Sequence, residues 1–355
     1  MKVGIIGGGA CGLMLATILE KNNIEYTIFN SGKLGRKILA SGNGRCNISN
    51  INYASSYYHN SPLSYIVDEN QKELFDYFKE IKLYTFFDDE GRMYPISESS
   101  QSVLNILLNN IKGDILDLEV KSISKKNNKY YINNEYAFDF VVCATGSYAS
   151  YIKSKRQGYN SYLDSIGVKM IPFTPSLVGF KVKENVKAIS GVRAKATVKL
   201  IMNGKAIHSE AGEVNFKDDG ISGICIMNLS SYFANLESKD KCFIEIDFAY
   251  GKKYDDYTAI LNPKLKAYIE NNKIDPHQMV LSIKDVYDVE FAQVCHGGVD
   301  VKEVNKNLSY SKDNNIYFGG ELLNIDGVCG GYNLMFAFSS AIVIARSIKD
   351  EISNR

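Results

Sequence analysis

Residues 3–12 read Val-Gly-Ile-Ile-Gly-Gly-Gly-Ala-Cys-Gly and set Gly7, Gly9 and Gly12 in the slots of a G-x-G-x-x-G fingerprint. A strand must precede such a run, a helix must follow it, and a dinucleotide pyrophosphate sits at the turn between them. Val3 to Ile6 is a short apolar run of the kind buried in a parallel sheet. Gly7 permits the tight turn out of it. Gly9 lets backbone N–H groups reach the pyrophosphate, and Gly12 lets the helix pack closely on the strand. The helix runs from Leu13 to Glu20, its positive dipole end toward the phosphates. A second strand over Glu25–Phe29 closes at Asn30, about 20 residues beyond the glycines, where an acid usually takes the ribose hydroxyls. Asn30 offers a neutral and weaker hydrogen bond there. A secretory signal does not fit: glycines interrupt the apolar run, only Lys2 precedes it, and no small-residue cleavage site follows.

The length, 355 residues, suits two domains or one large domain with insertions. A net charge of +1 gives no basic field for nucleic acid, and no apolar stretch is long enough to span a bilayer. The expected partner is therefore a small-molecule substrate, with no nucleic acid and no membrane; monomer and homodimer both stay open. The seven cysteines form no C-x-x-C pair, so neither a zinc site nor a thiol relay is expected. They read as reduced thiols of a cytoplasmic protein.

Helices are expected over 60–82 and 99–111, strands near 114–123, 129–133 and 138–143, and a Gly/Ser/Asn-rich functional loop over 31–52. From about Val168 the runs alternate, with Asn203-Gly204 as a turn, which is the pattern of an antiparallel sandwich or barrel. Residues 252–290 read as helices. A strand over 316–318 then enters a glycine-rich turn and a long apolar helix from Asn333. Four glycine-punctuated segments, 7–12, 35–47, 144–147 and 319–334, close predicted parallel strands, where doubly wound sheets bind ligands. An extended ligand such as FAD needs that many contacts. Gly320-Glu321 can accept from ribityl hydroxyls, and the following helix N-terminus can stabilise charge on a reduced flavin.

Two long motifs carry a resemblance. Gly35-Arg36-Lys37-Ile38-Leu39-Ala40-Ser41-Gly42-Asn43-Gly44-Arg45-Cys46-Asn47 and Gly319-Gly320-Glu321-Leu322-Leu323-Asn324 through Gly330-Gly331-Tyr332-Asn333-Leu334 resemble signatures of the BaiN-like, aminoacetone-oxidase family of FAD-binding flavoproteins. Matches at Gly91–Pro95, Ala144–Gly146, Gly220–Gly223 and Gly297–Val299 follow in family order. The resemblance implies an α/β, glutathione-reductase-like Rossmann FAD domain over 1–168 and 297–355. It also implies a β-barrel-like substrate domain over 169–250 and 284–296, and a helical insertion over 251–283. FAD is then expected on Gly7, Gly9, Ala10, Gly12, Asn30, Arg36, Lys37, Ser41, Gly42, Cys46, Asn47, Ala144, Thr145, Gly146, Gly320, Glu321, Asn333 and Leu334. A backbone contact to adenine is expected from Val120.

The sequence departs from the family pattern at Asn30, at Asn324, where Asp is usual, and over Ser147–Tyr159, normally glycine-rich. No second G-x-G-x-x-G occurs in 160–300, so no dedicated NAD(P)H domain is expected. The flavin is reduced either by its own substrate, a small amine, or by NAD(P)H visiting transiently, with enone-like substrates as the other class. The alternatives are an NAD-dependent dehydrogenase without flavin and a non-catalytic flavin-binding protein. No catalytic acid or base stands out. His208 and His296 are candidates by chemistry alone, Tyr94, Tyr148 and Tyr332 by their place near the motifs, and Arg45 as a phosphate or carboxylate partner. Cys46 lacks a partner cysteine, which favours packing.

Overall fold

β1 (Lys2–Ile6) occupies an inner position in a six-stranded sheet ordered Ser309–Tyr310, Asp313–Phe318, Phe140–Cys143, β1, β2 (Glu25–Phe29) and Asp114–Leu116. All pairs are parallel except the outermost hairpin formed by Ser309–Tyr310 and Asp313–Phe318. The apolar run predicted for β1 is buried from Val3 to Ile6. Helix α1 (Ala10–Lys21) follows the glycines and packs on the C-terminal helix, Tyr332–Ser353. This Rossmann-type arrangement is seen in a computed structural model that describes residues 1–59, 62–152, 154 and 158–354.

The chain divides into two units. The first, Met1–Ser147 with Lys155–Phe173 and Gly297–Arg355, carries the parallel sheet. The second, Tyr148–Ser154 with Thr174–His296, carries a closed six-stranded barrel. Its strands, Phe180–Val182, Gly220–Ser222, Lys205–Lys217, Arg193–Met202, Cys242–Asp247 and Met279–Val286, pair antiparallel throughout. The Asn203-Gly204 turn sits where the pattern placed it, joining Met202 to Lys205 with φ of 52° and 78° at its two residues. Alternate residues such as Val198, Leu200, Ile244 and Ile246 fill the barrel core.

The helical insertion over 251–283 needs correction. Its one α-helix is Pro263–Asn271, and Met279–Val286 is a barrel strand. Met279 and Leu281 are buried while Val280 between them is 43% exposed, a period of two that overrides the helical reading. The helix expected over 60–82 is Tyr65–Glu80; Asn60 and Ser61 lie outside the described residues. The strand expected over 114–123 stops at Leu116, and the loop over 31–52 contains a short helix, Arg36–Ala40. Within Ser147–Tyr159, Lys153 and Lys155–Gln157 lie outside the described residues.

Candidate functional site

The four glycine-punctuated segments meet in the first unit, at the carboxyl ends of β1, Phe140–Cys143 and Asp313–Phe318. The sheet itself enforces this. Gly7 donates its N–H to the Phe29 carbonyl at 2.8 Å, Ala144 donates to Ile6 at 2.8 Å, and Gly319 donates to Cys143 at 3.0 Å. A Cβ on Gly7 would stand 2.5 Å from the Ala144 oxygen, and one on Gly12 1.9 Å from the Gly7 oxygen. Both positions therefore require glycine for close approach. Gly9 differs. Its Cβ would meet nothing nearer than the Ala144 oxygen at 4.0 Å, and it starts α1 with no side-chain cap and no acid in the first turn. Open space thus lies before a positive helix end beginning at Ala10.

A polar cluster ties three segments together. Lys37 pairs with Glu321 and donates to Ser147 Oγ at 2.9 Å, and Ser147 donates to Glu321 Oε1 at 2.6 Å. The Glu321 side chain is 14% exposed. Gly146 lies beside it, its Cβ position 3.7 Å from Glu321 Oε2. Thr145 and Gly146 are held from behind: Tyr159 donates to the Thr145 carbonyl at 2.8 Å, and Asn160 to that of Gly146 at 3.1 Å. Tyr162 and Thr145 share a hydroxyl bond at 3.1 Å. Gly320 takes φ of 64° and donates to Ser340 Oγ at 2.9 Å.

The C-terminal helix begins at Gly331 (φ 97°), again without a side-chain cap or an acid in its first turn. A Cβ there would fall 2.5 Å from Asn47 Oδ1. Asn47 Oδ1 and Ser49 Oγ are buried and have no hydrogen-bond partner among the described residues. Buried polar atoms without partners are costly, and beside an uncapped helix start they fit a ligand that carries both donors and acceptors. The pyrimidine edge of a flavin has both.

The other residues expected at the site have contacts of their own. The Asn333 side chain is bonded twice to Gly327, accepting from its N–H and donating to its carbonyl at 2.8 Å each. These bonds tie its side chain to Gly327, and Leu334 beside it is half-buried. Ser41 uses its hydroxyl on the Ile38 carbonyl, and Gly42 sits against Asn47 N at 3.1 Å from its Cβ position. Cys46 is buried at φ 62°. Burial pushes its thiol up to about 11, with a hydrogen bond to Ser41 opposing, so it is no nucleophile at neutral pH. Arg36 opens the short helix, half-buried, and Val120 lies half-buried in the irregular stretch after Leu116. Arg45 pairs with Glu98 and lies 4.5 Å from the Tyr94 ring centroid, so it faces a neighbour rather than a phosphate. Asn324 accepts from Gly297 N–H at 2.8 Å, a structural role that Asp would also fill. His208 belongs to the barrel unit, 2.9 Å from Glu210 and stacked on Tyr232 at 3.8 Å. His296 and Tyr148 are half-buried in the same unit, and Tyr332 is buried in the first. Among the described residues no His/Cys/Asp/Glu group could hold a metal.

Ser147, Tyr159 and Asn160 were not singled out in the sequence as ligand-side residues. Ser147 directly follows Ala144-Thr145-Gly146 and was legible there as a polar residue at a strand end. Tyr159 and Asn160 belong to no motif.

A family model described as the HI0933-like protein Rossmann domain matches residues 1–347. The chain belongs to the HI0933-like family. It is an FAD-dependent oxidoreductase of Rossmann type. A 3-dehydro-bile acid delta(4,6)-reductase of Clostridium scindens is 28% identical, with 98% of each chain covered. A ribosomal RNA dihydrouridine synthase of Haemophilus influenzae is 27% identical, with 97% of each covered. The apo Sdh1 complex of Mycobacterium smegmatis shares the fold at a TM-score of 0.52 and 12% identity, covering 100% of this chain and 68% of that one.

Proposed function

We propose that this chain reduces a carbon–carbon double bond conjugated to a carbonyl group, with FAD along the carboxyl ends of the first unit's sheet. One observation carries the reading. Two relatives of near-complete coverage have names that specify unrelated molecules but one kind of bond. A 3-dehydro, delta(4,6) bile acid has its double bonds in line with the C3 ketone, and the double bond lost in dihydrouridine is conjugated to the C4 carbonyl. Reduction adds hydride to the carbon β to the carbonyl and a proton to the α carbon. Bound FAD supplies the two-electron hydride transfer, and NAD(P)H, oxidised to NAD(P)+, is the proposed source of the electrons.

The residues divide the binding task. The uncapped start of α1, with Gly9, Ala10 and Gly12, receives the pyrophosphate, aided by Arg36. Glu321, Ser147 and Lys37 hold ribityl hydroxyls beside Thr145 and Gly146. Asn47 and the first-turn amides of Asn333 and Leu334 receive the pyrimidine edge and favour negative charge there. Oxidation of a small amine, the other class implied by the sequence resemblance, has no support in the relatives' names. No helix among the described residues is long and apolar enough to cross a membrane. A cytoplasmic placement is part of this reading, since seven cysteines without a C-x-x-C pair suit a reducing compartment.

The test is anaerobic. The purified holoprotein is mixed with NADH, NADPH or aminoacetone while flavin absorbance is followed. The reduced protein is then mixed with a 4-en-3-one steroid, uridine, or uridine-containing ribosomal RNA. Bleaching by a nicotinamide and recovery with an enone supports the proposal. Bleaching by aminoacetone, with no recovery from any conjugated carbonyl, sinks it. Recovery with RNA alone keeps the bond class and moves the substrate to nucleic acid.

A further inference from the structure

We infer that Asp117 has taken over the adenosine-ribose contact that the fingerprint assigns to residue 30. The inference rests on FAD as the ligand and concerns its other end. Asn30 is already bonded on both sides of its amide: Oδ1 accepts from Gly8 N–H at 2.9 Å, and Nδ2 donates to the Gly32 carbonyl at 2.8 Å. Its side chain closes the glycine loop onto the loop after β2. The neighbouring strand supplies what is missing. Asp114–Leu116 runs parallel to β2 with Phe29 opposite Leu116, and Asn30 donates its N–H to the Leu116 carbonyl at 3.0 Å. Asp117 is therefore the next residue in register beside Asn30. Its Oδ1 accepts from Gly32 N–H at 3.0 Å, which draws the carboxylate across to the loop that Asn30 also holds. Asp117 is exposed, and its Oδ2 has no partner among the described residues.

A vicinal diol donates two O–H groups, and a carboxylate has about four lone-pair sites to receive them. The Asn30 carbonyl has one oxygen, and one of its two lone pairs already accepts from Gly8 N–H. Charge-assisted acceptance is also the stronger kind. A carboxylate one strand over, anchored by Gly32, thus restores the acidic ribose contact.

The experiment uses the full-length apoprotein and competition against FAD by ADP and by 2′,3′-dideoxy-ADP. Wild type is expected to favour ADP by about tenfold, the worth of a charge-assisted hydrogen bond. In Asp117→Ala the ratio falls to near one and FAD binding weakens by about tenfold. Asp117→Asn keeps an acceptor for Gly32 and lowers the ratio only in part, which separates ribose recognition from loop integrity. Asn30→Asp does not tighten FAD, because Gly32 loses its donor and two carboxylates adjoin. An unchanged ratio in Asp117→Ala, or tighter FAD binding in Asn30→Asp, overturns the inference. If wild type binds ADP but not FAD, the cofactor reading fails while the ribose ratio still judges Asp117.

Discussion

At Gly12 a Cβ would stand 1.9 Å from the Gly7 oxygen, whereas at Gly204 a Cβ would meet nothing within 4 Å. The same residue solves different problems at the two positions. At Gly12 glycine removes atoms so that backbone can approach backbone, as it also does at Gly220 and Gly223 of the barrel unit, where a Cβ would stand 2.1 Å from a main-chain oxygen. In the barrel unit, Gly204 supplies the positive φ of a two-residue hairpin turn. The barrel core is built from apolar side chains, while Asn47 Oδ1 and Ser49 Oγ lie buried and unpartnered beside the C-terminal helix start. The helix Pro263–Asn271 is capped by the Asn262 side chain, which accepts from Lys264 N–H, but α1 and the C-terminal helix begin bare at glycine. The barrel unit has such features too, with Thr174 Oγ1 and Asn215 Oδ1 buried without partners among the described residues and Ile224–Ala234 starting uncapped at Gly223; the first unit differs in that its bare helix starts follow the carboxyl ends of parallel strands.

Substitutions can break this contrast. Gly12→Ala should have the largest effect, about 4 kcal/mol or more, because the added methyl collides with main chain that cannot yield. Thermal unfolding and flavin content after purification should both collapse. Glu321→Ala should cost about 1–3 kcal/mol of FAD binding, the worth of lost charged hydrogen bonds. Titration of apoprotein should show it, with the apoprotein melting point moving less than FAD affinity. Gly204→Ala should cost about 1 kcal/mol through turn strain alone and leave FAD affinity unchanged. A loss of flavin in that variant would contradict the division of roles.

The smallest effect is a pH dependence. The hydrogen bond from Lys169 holds the Asp300 carboxyl below its ordinary range, with burial opposing and Lys302 N–H assisting. The folded pKa lies below the unfolded one, near 3.9, so the stabilisation is complete above that value and lost as pH falls through the folded pKa. The melting-point gap between wild type and Asp300→Asn should be open at neutral pH and close at strongly acid pH. A gap that widens on acidification would reverse the sign.

Much of this architecture was legible in the sequence where pattern and sterics coincide. Gly7 and Gly12 sit where the fingerprint put them because no other residue fits. The alternation of Ala194–Ile201 and Phe243–Phe248 pointed to an antiparallel sandwich or barrel, and the strands there form a closed barrel. Met279–Val286 was missed because a short apolar run among helical neighbours carries no decisive period until its partner strand is known. At the site, Lys37, Gly146 and Glu321 were read from motifs, and the structure brings them together. Ser147, Tyr159, Asn160 and Asp117 were not, because their roles come from register and chain return rather than from local pattern. Asn30 stands out in the sequence as altered, but the loop bonds of its amide are visible only in three dimensions.

The proposed activity is reduction of conjugated carbon–carbon double bonds. The most direct measurement is a single anaerobic turnover: holoprotein is reduced chemically, freed of reductant and mixed with a 4-en-3-one steroid or with uridine. The account predicts that flavin absorbance returns and that one saturated product forms per flavin. A flavin that stays reduced with every conjugated carbonyl, yet reoxidises at once in oxygen, would contradict it.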